Sequence, residues 1–176
     1  MVGGRQTVSL GVGCEHHSVV LHELGHVLGF WHEQNRPDRD KYVKIIKKNI
    51  KKSERFNEYS NVCISLPQAY PNLAFHFHFT DLYFAFRKYS TYKINSLGIP
   101  YDYKSIMHYA HNAFGKGRKT TIVALDGKTR RFGNTHLSAL DVEQTKRLYK
   151  CPGKTHCNHT KTHKQHTVAH TQLYYT

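Results

Sequence analysis

The chain has 176 residues and carries 26 Lys and Arg against 12 Asp and Glu, a formal charge of +14 with His neutral. That length allows one domain with a real core and is short for two. A mean hydropathy of −0.63 and the lack of any run of about 18 apolar residues exclude a membrane-spanning helix, and four Cys at 14, 63, 151 and 157 exclude a disulfide-dense scaffold and a C-x-x-C metal knuckle.

The opening Met1–Gln6 has no basic region followed by an apolar stretch, so no signal peptide is expected there. Residues 7–12 read as a short strand that runs into a turn at Gly13-Cys14. From Glu15 to Leu28, apolar residues recur at Val19, Val20, Leu24, Val27 and Leu28 with a helical period. Gly29 ends that helix by accepting a positive φ. Pro37, followed by Asp38-Arg39-Asp40, keeps the next segment in a loop. A dense basic run from Lys41 to Arg55 overlies an amphipathic stretch with Val43, Ile45, Ile46 and Ile50, whose plain reading is a solvated face. Residues 120–125 read as a strand. Residues 138–149 read as a helix, with Ser138 and Asp141 spaced as an N-terminal cap and Leu140, Val142 and Leu148 on an apolar face.

Two segments break the pattern. Between Glu58 and Phe86 there is no Lys or Arg, yet the window holds five of the nine Phe, with the run Phe75-His76-Phe77-His78-Phe79 inside it. After Cys151-Pro152 the composition narrows towards Thr, His and Lys, which reads as a disordered tail over 153–176. Its histidines at 156, 159, 163, 166 and 170 read as a read-through or solvated tail, with a weak metal site as the alternative, and the Asn158-His159-Thr160 sequon acquires meaning only on a secretory route.

The chemistry concentrates in His22-Glu23-Leu24-Gly25-His26-Val27-Leu28-Gly29-Phe30-Trp31-His32. On a helix, His22 and His26 project from one face one turn apart and can reach a single Zn²⁺. Glu23 follows the first ligand and can turn to a water without competing for the metal. Gly29 permits the turn that returns His32 as a third ligand. Three His leave a fourth position open, as at a catalytic rather than a structural zinc. Five fixed positions of this kind match by accident about once per million windows.

This motif resembles the metzincin pattern. Its extension Phe30-Trp31-His32-Glu33-Gln34-Asn35-Arg36-Pro37-Asp38-Arg39-Asp40 is similar to the astacin family of secreted zinc endopeptidases, and Tyr101-Asp102-Tyr103-Lys104-Ser105-Ile106-Met107-His108-Tyr109 resembles that family's Met-turn. Residues 137–151 are similar to its C-terminal helix and closing cysteine. The resemblance implies one zinc per chain held by His22, His26 and His32, with Glu23 as general base and Met107 as the apolar floor. It implies Tyr109 as an extra ligand that swings away to stabilise the oxyanion, and a protein or peptide substrate outside the cell. Without it, Met107 reads as core and Tyr109 as a half-buried aromatic. Glu33 belongs, by resemblance, to a buried contact with a mature N-terminus; a surface-charge reading stays open beside that one. Lys128, Arg130 and Arg131 fall where the family walls the pocket after the scissile bond, which implies an acidic substrate residue there.

The fold expected is α+β and metzincin-like: the zinc helix plus a C-terminal lower lobe, with the N-terminal sheet lobe largely missing, since only 21 residues precede His22. A partial peptidase domain over 1–152 and the tail over 153–176 follow. The family's two disulfides each join this half to the absent one, so Cys14 and Cys151 are expected to lack partners. His32 and Met107 are 75 positions apart; without the 29 residues of the 58–86 window the gap is 46, close to the family's spacing, as a retained in-frame intron or a true insertion would produce. Two other functions stand beside peptidase activity. One is a catalytically inactive zinc-binding fragment that lacks the substrate lobe. The other is a polyanion binder resting on the Lys41–Arg55 and Lys116–Arg131 runs and the tail, with no motif for specific nucleic-acid recognition.

Overall fold

The computed structural model describes residues 9–10, 13–52, 64–65, 82–128 and 130–151, which form two eleven-residue helices, two antiparallel strand pairs and several single 3-10 turns. Strand β1 (Ser9–Leu10) carries the strand expected over 7–12, and helix α1 (His17–Val27) lies within the predicted 15–28. α1 starts at His16 without a side-chain cap and has no acid in its first turn, so packing rather than capping sustains it. At its other end Gly29 adopts a φ of 98°. Its N–H reaches His26 O at 2.9 Å, and Phe30 N–H reaches Gly25 O at 3.0 Å. The chain thereby folds back on its own last turn.

The basic run is divided between a strand and a turn. It forms β2 (Val43–Ile45) and a 3-10 turn at Lys47–Asn49. Val43 is buried, Lys44 exposed and Ile45 half-buried, the alternation of a strand with one dry face. β3 (Ile64–Ser65) lies inside the anomalous window and pairs antiparallel with β1, Leu10 opposite Ile64. β4 (Ile122–Ala124) is the strand expected over 120–125 and pairs with β2, Val43 opposite Ala124 and Ile45 opposite Ile122. Helix α2 (Ala139–Tyr149) carries a full capping box: Ser138 Oγ accepts from Asp141 N–H at 2.9 Å, and Asp141 Oδ2 accepts from Ser138 N–H at 2.8 Å. Such a cap contributes about 1 kcal/mol.

Val43, Ile50, Phe86, Tyr101, Ile122 and Phe132 form the core. Phe86 is fully buried, so residues 82–86, which composition sets apart from the peptidase-like sequence, belong to the interior. Three hydrogen bonds hold the backbone of this stretch at its C-terminal end: Asn35 Nδ2 to Ala85 O at 3.1 Å and to Arg87 O at 2.7 Å, and Arg39 Nη1 to Phe86 O at 2.7 Å. The aromatic run at 75–79 and the tail lie outside the described residues.

One expectation about the cysteines is corrected. Cys14, expected to lack a partner, is buried and disulfide-bonded. Cys151 is exposed and free, as expected.

Candidate metal centre

The turn after Gly29 brings His32 against the two α1 histidines. His32 Nε2 lies 3.1 Å from His22 Nε2 and 3.2 Å from His26 Nε2. The other nitrogens of the helical pair are occupied: His22 Nδ1–H donates to Ile106 O and His26 Nδ1–H to Phe30 O, both at 2.8 Å. Those bonds fix the tautomer, so both Nε2 atoms present lone pairs to the same point. Burial, with His26 and His22 alongside, pushes the His32 imidazole down to about 2, and burial also lowers His26. Three imidazole nitrogens thus meet at one point, where a single proton cannot satisfy all of them. Three nitrogens bound tetrahedrally to zinc at 2.0–2.1 Å lie about 3.3 Å apart. The cluster fits that ion, and among the described residues it is the group of His, Cys, Asp or Glu side chains arranged to hold one.

The turn at residues 105–107 is held from four sides. Asp141, at the start of α2, accepts from Ser105 Oγ at 2.6 Å and from Ile106 N–H at 3.0 Å. Ile106 O then receives His22, and Met107 O accepts from Glu33 N–H at 3.0 Å. On the fourth side Met107 packs under α1 at Gly25, where a Cβ would lie 2.4 Å from its Sδ. A carboxylate on α2 thus reaches the His22 ring through a single residue, Ile106. Sequence reading found Asp141 only as a cap, because its tie to Ser105 and Ile106 leaves no local signal.

Glu23 lies beside the cluster, with its carboxyl raised by burial against the opposing pull of His22. The Tyr109 ring packs on His32 at 4.4 Å between centroids, and its N–H donates to Gln34 Oε1 at 3.1 Å. Burial raises the Tyr109 phenol, with Tyr89 and Glu23 adding to the effect. Glu33 is not a surface charge: it is 5% exposed, and its Oε1 accepts from Arg36 Nη1 at 2.9 Å and from Asp102 N–H at 2.8 Å. Next to His32, the 41%-exposed Trp31 forms with Tyr89 a two-ring platform; Lys93 Nζ lies 4.6 Å and 4.5 Å from their centroids. Sequence reading missed this trio, since Trp31 and Lys93 are 62 positions apart. Of the three basic residues predicted to wall the substrate pocket, Arg130 is paired with Asp126 and covers the Tyr103 ring, whereas Lys128 and Arg131 are exposed.

The model of the astacin peptidase family matches residues 1–80 and 76–150. The chain belongs to the astacin family. Among similar astacins, bone morphogenetic protein 1 of Xenopus laevis is 37% identical over 155 residues, covering 85% of this chain and 18% of that protein. Tolloid-like protein 1 of Homo sapiens is 37% identical over 154 residues, 85% of this chain and 12% of the relative. Zinc metalloproteinase nas-13 of Caenorhabditis elegans is 38% identical over 151 residues, 86% and 27% of the two. The chain therefore spans under a third of the length of these relatives. Among solved structures, high choriolytic enzyme 1, a hatching enzyme zinc-protease of the medaka Oryzias latipes, superposes with a TM-score of 0.57 at 29% identity. The match covers 86% of this chain and 68% of that one. The fold is thus that of part of an α+β metzincin domain, and the astacin zinc is the metal that the histidine cluster fits.

Proposed function

We propose that this chain is the zinc-binding portion of an endopeptidase that hydrolyses peptide bonds of an extracellular protein or peptide. The observation that carries the reading is the convergence of three imidazole nitrogens, with Glu23 next to His22 on α1. His22, His26 and His32 would hold the zinc, which supplies Lewis acidity to polarise the scissile carbonyl and acidify water. Glu23 takes a proton from the attacking water and hands it to the departing amine. Its half-buried, raised carboxyl suits both halves of that task. Tyr109, a phenol kept protonated beside His32, donates a hydrogen bond to the developing oxyanion. Met107 fills the space beneath α1 and holds the helix at a fixed height over the Met-turn. Lys128 and Arg131 favour an acidic residue after the scissile bond, whereas Arg130 has its charge engaged by Asp126. The disulfide at Cys14 supports an oxidising, secretory destination.

The test is cleavage of a generic fluorogenic peptide by the zinc-loaded full chain. Activity that disappears with a chelator, and in Glu23→Gln at unchanged zinc content, is the expected result. One equivalent of bound zinc with no cleavage under any condition sinks the proposal in favour of an inactive zinc-binding fragment.

A further inference from the structure

The fold joins two basic segments that are far apart in sequence. Residues 41–52 and 111–120 contain no Asp or Glu. Pairing of β2 with β4 sets them side by side, and contacts beyond the strands extend the seam. Ile46 N–H donates to Thr121 O at 2.8 Å, Asn49 Nδ2 to Thr120 O at 2.7 Å, and Lys51 N–H to Phe114 O at 2.9 Å. Ile50 bridges Gly115, where a Cβ would lie 2.1 Å from Lys119 O, so only glycine allows the 112–119 loop to close this tightly. Lys44, Lys47, Lys48, Lys51, Lys116 and Lys119 are exposed along the seam. Among the described residues, none of the six is in an ion pair. Lys116 Nζ is anchored on Lys48 O at 3.2 Å and Lys47 Nζ lies 4.5 Å from the Tyr83 ring centroid, so part of the array is ordered before any ligand arrives.

Like charges held this close oppose folding through mutual repulsion, and the backbone pairing that joins the two segments does not require the ammonium groups to be there. We propose that the β2–β4 seam is a docking surface for a sulfated polysaccharide chain. Charge complementarity calls for a linear polyanion, and lysine heads are point charges suited to successive sulfates rather than to base edges. The aromatic rings bordering the seam are not free stacking platforms for unpaired bases: Lys47 covers Tyr83, and Phe114 packs edge-on against Phe86. Oxidised Cys14 directs the chain to a compartment where the abundant extended polyanions are sulfated sugars.

The experiment uses the full chain in a Glu23→Gln background, so that its outcome is independent of peptidase activity, with immobilised heparin as the probe at pH 8. Six engaged lysines weaken binding on the order of 10³-fold between 50 and 200 mM salt by counterion release. Replacing Lys48, Lys51, Lys116 and Lys119 by Gln should flatten the log–log salt slope by about 3 and weaken binding roughly a hundredfold at 200 mM. The pair Lys51→Gln/Lys119→Gln should give about half that change in slope, and both variants should keep one equivalent of zinc. Removing Lys154, Lys161 and Lys164 from the tail should change the heparin affinity less than the pair does. Equal heparin binding by the fourfold variant overturns the proposal, as does a larger loss from the tail lysines. Tighter binding of the parent to duplex DNA or to phosphatidylserine vesicles than to heparin overturns it too.

Discussion

Gly25 and Met107 offer a direct test of how the zinc helix is held. A methyl group at position 25 would lie 2.4 Å from Met107 Sδ and 3.3 Å from its Cε. Met107 is 4% exposed, so its thioether has no solvent to retreat into. Gly25→Ala in the interior of α1 gains about 1 kcal/mol of helix propensity. Overpacking a filled core costs about 1–3 kcal/mol, so the net effect is a loss of up to about 2 kcal/mol. Met107→Val removes both clashing atoms and, as a large-to-small core change, costs about 1–3 kcal/mol alone. In that background Gly25→Ala should stabilise by about 1 kcal/mol, because the propensity gain survives and the clash does not. The coupling in the double-mutant cycle is therefore about 1–3 kcal/mol. Urea unfolding of the zinc-loaded proteins reads it as a shift in midpoint at constant slope, and Gly25→Ala should also weaken zinc retention. Additivity within about 0.5 kcal/mol would refute the reasoning, since it would mean that Met107 does not set the height of the helix.

Asp141→Ala leaves the Ile106 and Ser138 N–H donors, which share Oδ2, and the Ser105 hydroxyl on Oδ1 without their acceptors, at a cost of about 2–4 kcal/mol in urea unfolding. Because Ile106 O carries His22, zinc affinity should drop about tenfold, while the exposed control Glu143→Gln stays within about 0.5 kcal/mol of the parent. His108 is buried and its imidazole is pushed down to about 4, against an ordinary value of 6.5, chiefly by burial. The unfolded chain binds the proton first, so this group's contribution is complete above pH 6.5 and drains away between 6.5 and 4. The loss is on the order of 3 kcal/mol. Unfolding of the parent and of His108→Asn across that window should show a gap that closes as pH falls, with zinc release common to both; a constant gap would remove His108 as the source. Removing zinc with a chelator from the parent should lower the unfolding midpoint in proportion to the logarithm of zinc excess over its dissociation constant. His26→Ala should abolish that response.

The local elements were legible in the sequence for physical reasons that the structure makes plain. α1, its Gly29 terminus and His32 fall within a short stretch of consecutive residues, so spacing alone determines which side chains converge. The α2 cap was legible for the same reason, since Ser138 and Asp141 are three apart. The basic run was ambiguous because its apolar positions satisfy neither a clean helix nor a clean strand period. Pairing with β4 resolves it, closing the backbone hydrogen bonds of Val43–Ile45 against Ile122–Ala124.

The sequence by itself determined which three histidines converge, because an i, i+4 pair and a glycine turn are local geometry. Only the tertiary structure decided what holds and surrounds them. Asp141 reaches across 35 positions to seat the turn at Ile106, and Glu33 is buried on Arg36 and the Asp102 amide rather than left at the surface. Phe86 is claimed by the core despite the foreign composition around it, Cys14 is oxidised, and two basic segments fuse into one cationic seam. Each of these rests on contacts between residues distant in the chain. Such contacts arise from packing and from satisfying buried polar groups, and they leave no periodic trace in the order of the amino acids.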